Sequence, residues 1–547
     1  MTMSERNLIR GTMILTASIF ISKLLGLIYI FPFQAIVGLE GLALYSYGYV
    51  PYTVLLSLAT LGIPLAVSKF VSKYNALGDY RTGQRLFQSG LIVMGITGFV
   101  AFLALFFLAP VIAANVLDTS DLQGNSIEDA VFTIRMVSVA LLVVPVMSLI
   151  RGYFQGFQSM GPTAVSQVIE QIVRIIFILL LTFLIINVWN GELGTAVGFA
   201  TFGAFVGAIG GLAVLLVYWY KRKGNFQKHV EESTTDHQIP LTNMYKELLR
   251  YALPISFVGL SIPMYQMIDL FTFNNALSSL GFEQGEIDKY FGAFVQAAHK
   301  LILIPVALAT AMSLAILPTV TSAFVNNEKD RLQRHITQTY QIILFLSIPA
   351  AIGLSVLAYP AYGALFGLDD LSIGGEILRH YAPVAVLFSI FAVTSSLLQG
   401  INRQKYAVIA LLSGITLKFA TNALFISWFG PVGAVYATAL GYASAISVNA
   451  WAIGKYAEYS YNLLFKRMLL IGGFAVAMGI GVWAVNMLVQ LALPMENRGS
   501  TFVILPITIG AGIAIYGFLG IRSGLAAMIL GHRFKFLKKK TKVSEEG

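Results

Sequence analysis

Cysteine is absent from the 547 residues, which removes disulfides, zinc-thiolate sites, iron-sulfur clusters and thiol nucleophiles together. Charge is scarce as well. Asp, Glu, Lys and Arg make up 11% of the chain, against about a quarter in soluble domains. With 57% hydrophobic residues and a mean hydropathy of +0.76, lipid must replace water over most of the surface. Two catalytic signatures are also missing: no GxxxxGK[ST] phosphate loop and no HExxH pattern. His229 and His237 share one polar connection without ligand spacing. The excess of base, with a pI near 9.4, belongs to no soluble domain, so nucleic acid is not an expected partner. No enzyme, cofactor or metal centre is expected.

What is present is a series of apolar runs. Crossing the hydrocarbon of a bilayer takes about 20 residues of helix, and fourteen stretches qualify, from 9–37 and 46–70 to 465–492 and 501–526. The expected fold is therefore an all-α polytopic membrane protein with 14 transmembrane helices. The short loops set its orientation. The N-terminal segment, the loops after even spans and the C-terminal tail, with their flanks, carry 28 of the 36 Lys and Arg. The alternate loops hold Arg135, Lys289, Arg379 and Arg498 among acids such as Asp118, Asp121, Glu128, Asp129, Asp369 and Asp370. Both termini are thus expected in the cytoplasm of a plasma membrane. The run after Arg6 and Arg10 is too long for a cleaved signal and reads as span 1. The basic tail, six Lys or Arg in residues 533–542, suits a stop-transfer anchor or anionic lipid.

Weak internal matches recur at offsets of 250 and about 244 residues. Leu58-Ala59-Thr60 returns as Leu308-Ala309-Thr310, Asp79-Tyr80-Arg81 lies opposite Lys329-Asp330-Arg331, and Phe154-Gln155-Gly156 matches Leu398-Gln399-Gly400, with Arg174 falling on Lys418. Spans 1–6 and 7–12 therefore read as two copies in one orientation, with two helices appended. The expected division is an N-lobe over 1–220, a cytoplasmic linker over 221–246, a C-lobe over 247–455, spans 13 and 14 over 456–530, and a basic tail over 531–547.

Seven ionisable residues remain inside spans: Lys23, Glu170, Arg174, Asp269, His299, Lys300 and Lys418. A charge at mid-bilayer costs at least about 2.5 kcal/mol, less for His, so each needs a partner or a wet cavity. Lys23 lies roughly 20 Å and Lys300 roughly 16 Å along their helices, near the midplane. One falls in each repeat, so together they could line a cationic chamber that receives an anion; the plainer alternative is snorkelling or a silent ion pair. Glu170 and Arg174, spaced i, i+4 with the acid first, stack on one helical face as a charge pair, either purely structural or part of a gate. Asp269 and Lys418 could pair between helices. Gly203, Gly207 and Gly211, every fourth residue of span 6, predict close helix packing.

Several segments carry a family resemblance: Leu8-Ile9-Arg10-Gly11-Thr12, Ser22-Lys23-Leu24-Leu25-Gly26, the run from Ala66 to Asn75, Gly161 to Gln167 with Glu170 to Arg174, and Leu398-Gln399-Gly400-Ile401-Asn402. Through them nearly the whole chain resembles the MurJ-type lipid II flippases of Firmicutes, within the MOP superfamily of polysaccharide and drug transporters. The resemblance implies two six-helix lobes around a cationic cavity open alternately to each side. It also implies a groove by the last two helices for a polyprenyl tail. Essential cations on helices 1 and 8 would correspond to Lys23 and Lys300; a second helix 1 cation of some relatives falls near Tyr29. The cation site of other relatives corresponds to Asp269, Lys418, Asn422 and Thr438, and Lys418 would place its ammonium where sodium sits. The implied partners are membrane lipids and lipid II or a related polyprenyl-diphosphate glycan, handled by a monomer. The alternatives are a flippase for a sporulation or capsule glycan, a cation-coupled multidrug antiporter and, among enzymes, a membrane-bound transferase.

Overall fold

The computed structural model describes residues 3–117, 124–233 and 240–530. Asp118, Asp121, Asp236, His237 and the basic stretch 533–542 lie outside them. The described secondary structure is helical throughout, as a chain without water at its flanks requires, because a helix satisfies its own backbone. Among the described residues, ten helical stretches are long and apolar enough to cross a membrane, or up to twelve with each bent pair taken as one span. Two of these, Met13–Ala76 and Gln404–Tyr456, run to 64 and 53 residues and each contains two of the fourteen apolar runs. Large apolar side chains face outward along the long helices, including Phe20, Phe107, Leu491 and Ile513, each more than 60% exposed. A soluble monomer does not present so much exposed apolar surface; the protein is a multi-pass membrane protein.

The chain forms two compact units, Met1–Gly292 and Ala293–Gly547. The first contains α1 (Met3–Ile28), α2 (Ile30–Thr60), α3 (Ile63–Ala76), α4 (Tyr80–Val116), α5 (Ile127–Ser138), α6 (Val144–Gly156), α7 (Met160–Phe183), α8 (Leu193–Glu231), α9 (Leu241–Gly259), α10 (Ser261–Ser278) and α11 (Gln284–Gly292). Local chemistry sets many of their ends. Gly38 interrupts α2 at φ +68°, and Leu61 and Gly62, at φ +42° and +67°, part α2 from α3 ahead of Pro64. Asp79 accepts from the Thr82 amide to cap α4, and Ser126 from the Asp129 amide to cap α5. The inner core is aromatic: Phe87 stacks on Tyr153 at 4.1 Å and on Trp219 at 5.1 Å. α9 and α10 meet at a 52° bend. α9 packs on α3, where Gly62 lies against Ala252 and Ser256. The packing boundary therefore falls at residue 292, although the longest polar connection lies at 221–246.

The second unit contains α12 (His299–Val325), α13 (Lys329–Val356), α14 (Ala358–Phe366), α15 (Leu371–Tyr381), α16 (Val384–Gly400), α17 (Gln404–Phe429), α18 (Gly433–Tyr456), α19 (Asn462–Ala492), α20 (Arg498–Arg522) and α21 (Leu525–Leu530). A π-helical turn over Ala293–Ala298 leads into α12, a feature that often marks functional positions in helices. α19 lies on α13, and α20 on α19 and α14, so the last two long helices belong to this unit's fold. The sequence repeat recurs in the backbone. Gly78 and Asn327, each two residues before a helix, both have positive φ; so do Gln158 and Asn402, just after α6 and α16. Span 4 breaks at the 3-10 turn Val139–Leu142 and span 10 at Ala382–Pro383.

Candidate functional site

α7 carries an uninterrupted polar stripe. Ser166, Gln167, Glu170, Gln171 and Arg174 recur at helical spacing, so they share one flank of a helix that is otherwise apolar. The Glu170–Arg174 pair expected from spacing forms, with Arg174 Nη2 donating to Glu170 Oε1 at 3.2 Å. A third member joins it. Arg151 of α6 donates through Nη2 to Glu170 Oε2 at 2.8 Å and to Ser166 Oγ at 2.7 Å, while Ser166 donates to the Gly211 carbonyl at 2.8 Å. All three charged side chains are 12–14% exposed. Two guanidiniums on one carboxylate leave the cluster with a net charge of about +1 when Glu170 is ionised.

The glycine stripe of α8 makes this cluster possible. A methyl at Gly207 would stand 2.8 Å from both the Glu170 carbonyl oxygen and Arg174 Cβ, and one at Gly211 would stand 3.1 Å from Arg151 Nη2 and Glu170 Cβ. Glycine lets α8 lie directly on the charged part of α7 and shield it from lipid, the packing expected of small residues at this spacing. α1 runs along the edge of the same stripe of α7. Gly11 meets Met160 and Gly26 meets Gln171, so the two helices run parallel. Lys23, one turn before Gly26, sits level with the polar stripe, and its side chain is exposed. Tyr29, Tyr45, Tyr49 and Tyr52 interact electrostatically with Arg174 or stack on one another.

Besides the α4 cap Asp79, two further acids are buried in the first unit. Asp269 of α10 is 2% exposed. Asp288, fully buried in α11, is held by neutral donors: the Tyr47 hydroxyl, the Asn125 amide at 2.8 Å and side chain at 2.9 Å, and Gln284 Nε2 at 2.9 Å. Asn274 donates to the Tyr47 oxygen at 2.9 Å. This knot ties α2, α10 and α11 to the segment before α5.

In the second unit, His299 and Lys300 open α12 directly after the π turn. His299 is 4% exposed and its Nδ1 lies 3.0 Å from the Tyr381 hydroxyl; Lys300 is half-buried. Lys418 is fully buried in α17, donating to Thr438 Oγ1 of α18 at 2.7 Å; Thr438 in turn donates to the Ala434 carbonyl. Asn422, one turn beyond Lys418, is also fully buried. Of the four positions expected to group, Asp269, Lys418, Asn422 and Thr438, a hydrogen bond joins Lys418 and Thr438 between α17 and α18.

Sequence reasoning missed Arg151 and Asp288. Arg151 ends an apolar run and reads as an inner-loop flank; its signal was the i, i+4 acid on the next span, which needs more than one cation to be quiet. Asp288 reads as one acid among several in an outer loop.

A helical membrane chain that keeps most of its charge in loops yet retains a few ionisable side chains inside its spans has the pattern of a polytopic membrane transporter. The model of the polysaccharide biosynthesis protein family matches residues 8–324, and a MatE model matches residues 285–424. The chain is 45% identical over 529 residues to the lipid II flippase MurJ of Bacillus subtilis (strain 168), covering 96% of this chain and 97% of that protein. A structure of lipid II flippase MurJ in an inward closed conformation superimposes with a TM-score of 0.65 at 17% identity, covering 95% of this chain and 99% of that one. An inward-facing multidrug resistance MATE transporter of the MOP superfamily gives 0.64 at 16%, covering 79% and 94%. The chain belongs to the polysaccharide biosynthesis protein family, in the branch of the Bacillus MurJ flippase.

Proposed function

We propose that the protein is a lipid II flippase, moving the undecaprenyl-diphosphate-linked peptidoglycan precursor from the inner to the outer leaflet of the plasma membrane. The observation that carries this reading is the 45% identity to the Bacillus flippase along almost the whole of both chains. The physics of the task fits the residues. An ion moved into hydrocarbon loses solvation worth of order 20 kcal/mol in the idealised limit, so a diphosphate needs a wet path with cations along it. Lys23 in one repeat and Lys300 in the other supply ammonium groups for the phosphates. Rocking of the repeats then exposes the headgroup alternately to each side. An inside-negative potential favours outward movement of an anion by about 2.3 kcal/mol per charge per 100 mV.

In this reading both termini are cytoplasmic and fourteen helices cross the membrane. The repeats over 1–220 and 247–455 act as the two lobes, the segment 221–246 links them, and the tail 531–547 meets inner-leaflet lipid. The protein works as a monomer and performs no catalysis. Within the second unit, Lys418, Asn422 and Thr438 read as a charge-filled remnant of a cation site: the Lys418 ammonium bonded to Thr438 takes the place of a metal ion.

The test is depletion of the host's own flippase. Expression of this chain should restore growth and the exposure of lipid II at the outer surface, read with an externally added lipid II-cleaving or lipid II-binding probe. Failure of exposure while another polyprenyl-linked glycan reaches the surface would move the assignment to that glycan, and drug efflux without either would move it to an antiporter.

A further inference from the structure

We infer that Arg174 is a phosphate-binding residue and that Glu170 is its internal stand-in anion, held against it when no substrate is bound. The inference rests on the flippase reading and adds a binding group to it. Three observations carry it.

The first is unequal attachment. Glu170 is anchored by Arg151, at 2.8 Å, and Arg151 is itself fixed by Ser166 and through it by the Gly211 carbonyl. Arg151 and Glu170 thus make a closed neutral pair across α6 and α7. Arg174 touches that pair only through Nη2, at 3.2 Å. It is the surplus cation, held by the longer bond.

The second is an open donor. The Arg174 Nε–H is buried and has no hydrogen-bond partner among the described residues. A buried guanidinium N–H without an acceptor is costly. The fork formed by Nε and Nη2 matches two oxygens of one phosphate group. Glu170 occupies one arm; a phosphate would occupy both.

The third is surroundings suited to a headgroup rather than to packing. Around the α1 and α7 seam, Gln167 Oε1 and Ser22 Oγ are buried and unpartnered too. Lys23 is exposed at the same level of α1. Tyr45 and Tyr49, stacked at 5.2 Å, interact electrostatically with the guanidinium. An anion here would meet a surplus positive charge, an open fork and neutral donors and acceptors for the adjoining polar groups. The seam therefore takes a phosphorylated ligand, and the reading above makes it the diphosphate of a polyprenyl carrier.

The test uses full-length protein in nanodiscs of zwitterionic lipid, with a C55 polyprenyl diphosphate as probe and the matching C55 alcohol as reference. Four variants are compared: Arg174→Gln, Arg174→Lys, Glu170→Gln and Lys23→Gln, each with its thermal midpoint. Arg174→Gln should weaken diphosphate binding at least tenfold and leave alcohol binding unchanged. Arg174→Lys, which keeps the charge and loses the fork, should fall between Arg174→Gln and wild type. Glu170→Gln should tighten diphosphate binding severalfold, because the competing carboxylate is gone. That opposite sign separates ligand binding from a structural pair, where removing either partner damages the same fold. Unchanged diphosphate affinity in Arg174→Gln, or parallel losses of affinity and thermal midpoint in Arg174→Gln and Glu170→Gln, overturns the inference. If Lys23→Gln weakens binding and Arg174→Gln does not, the flippase reading stands alone. If wild type binds diphosphate no better than alcohol, both fall.

Discussion

Arg151 reaches Glu170 from a neighbouring helix at 2.8 Å, closer than Arg174 reaches it from one turn away on the same helix, at 3.2 Å. The tertiary bond outranks the local one, so the cluster is a junction of α6 and α7 first and a helical ion pair second. Arg151→Gln should therefore destabilise the protein by about 3 kcal/mol, the lower end for a broken buried pair. Arg151→Gln with Glu170→Gln should recover part of that loss. Thermal unfolding in detergent, arranged as a double-mutant cycle, reads both.

Lys23→Glu and Lys300→Glu should each abolish outer-surface exposure of lipid II while the protein remains folded and in the membrane. Lys23 is exposed and Lys300 half-buried, so reversal of either charge leaves the tightly packed interior largely intact. Complementation of the flippase-depleted host, with an immunoblot and a thermal midpoint for each variant, checks this. Normal growth with both variants would remove the phosphates from these two lysines.

Gly207→Leu should separate α7 from α8, since even a methyl would stand 2.8 Å from backbone and side-chain atoms of α7. Overpacking of this kind costs about 1–3 kcal/mol. Gly224, where an added methyl meets nothing within 4 Å, provides the control: Gly224→Ala should unfold like wild type.

Thr438→Val removes the acceptor at 2.7 Å from the fully buried Lys418 ammonium and should cost about 1–3 kcal/mol. Thr438→Val with Lys418→Met should be better tolerated, because both polar partners then leave together. On the reading that the Lys418 ammonium replaces a bound cation, transport in vesicles should be unchanged when sodium is replaced by potassium.

Much of this was legible in the sequence, for physical reasons. A charge in a run of leucine and isoleucine stands out because lipid penalises it, so Lys23, Glu170, Arg174, Asp269, Lys300 and Lys418 were visible without a structure. The i, i+4 spacing of Glu170 and Arg174 and the four-residue repeat of glycine are periodic signals that one helix suffices to interpret. Arg151 and Asp288 were not legible, because their partners come from other helices and both sit where loops normally carry charge. Nor did composition locate the packing boundary. A polar connection marks where the chain leaves the bilayer, whereas α9 packs on α3 at Gly62 and α10 and α11 pack on α2, all within the first unit.

On the α8 side the contact with α7 is made largely by glycine backbone at Gly203, Gly207 and Gly211, so closely that the two helices should travel together. They form a stiff plank. In a chain without native cysteine, paired spin labels along that plank should keep one separation through every stage of the transport cycle, an internal ruler against which displacement elsewhere in the molecule can be gauged.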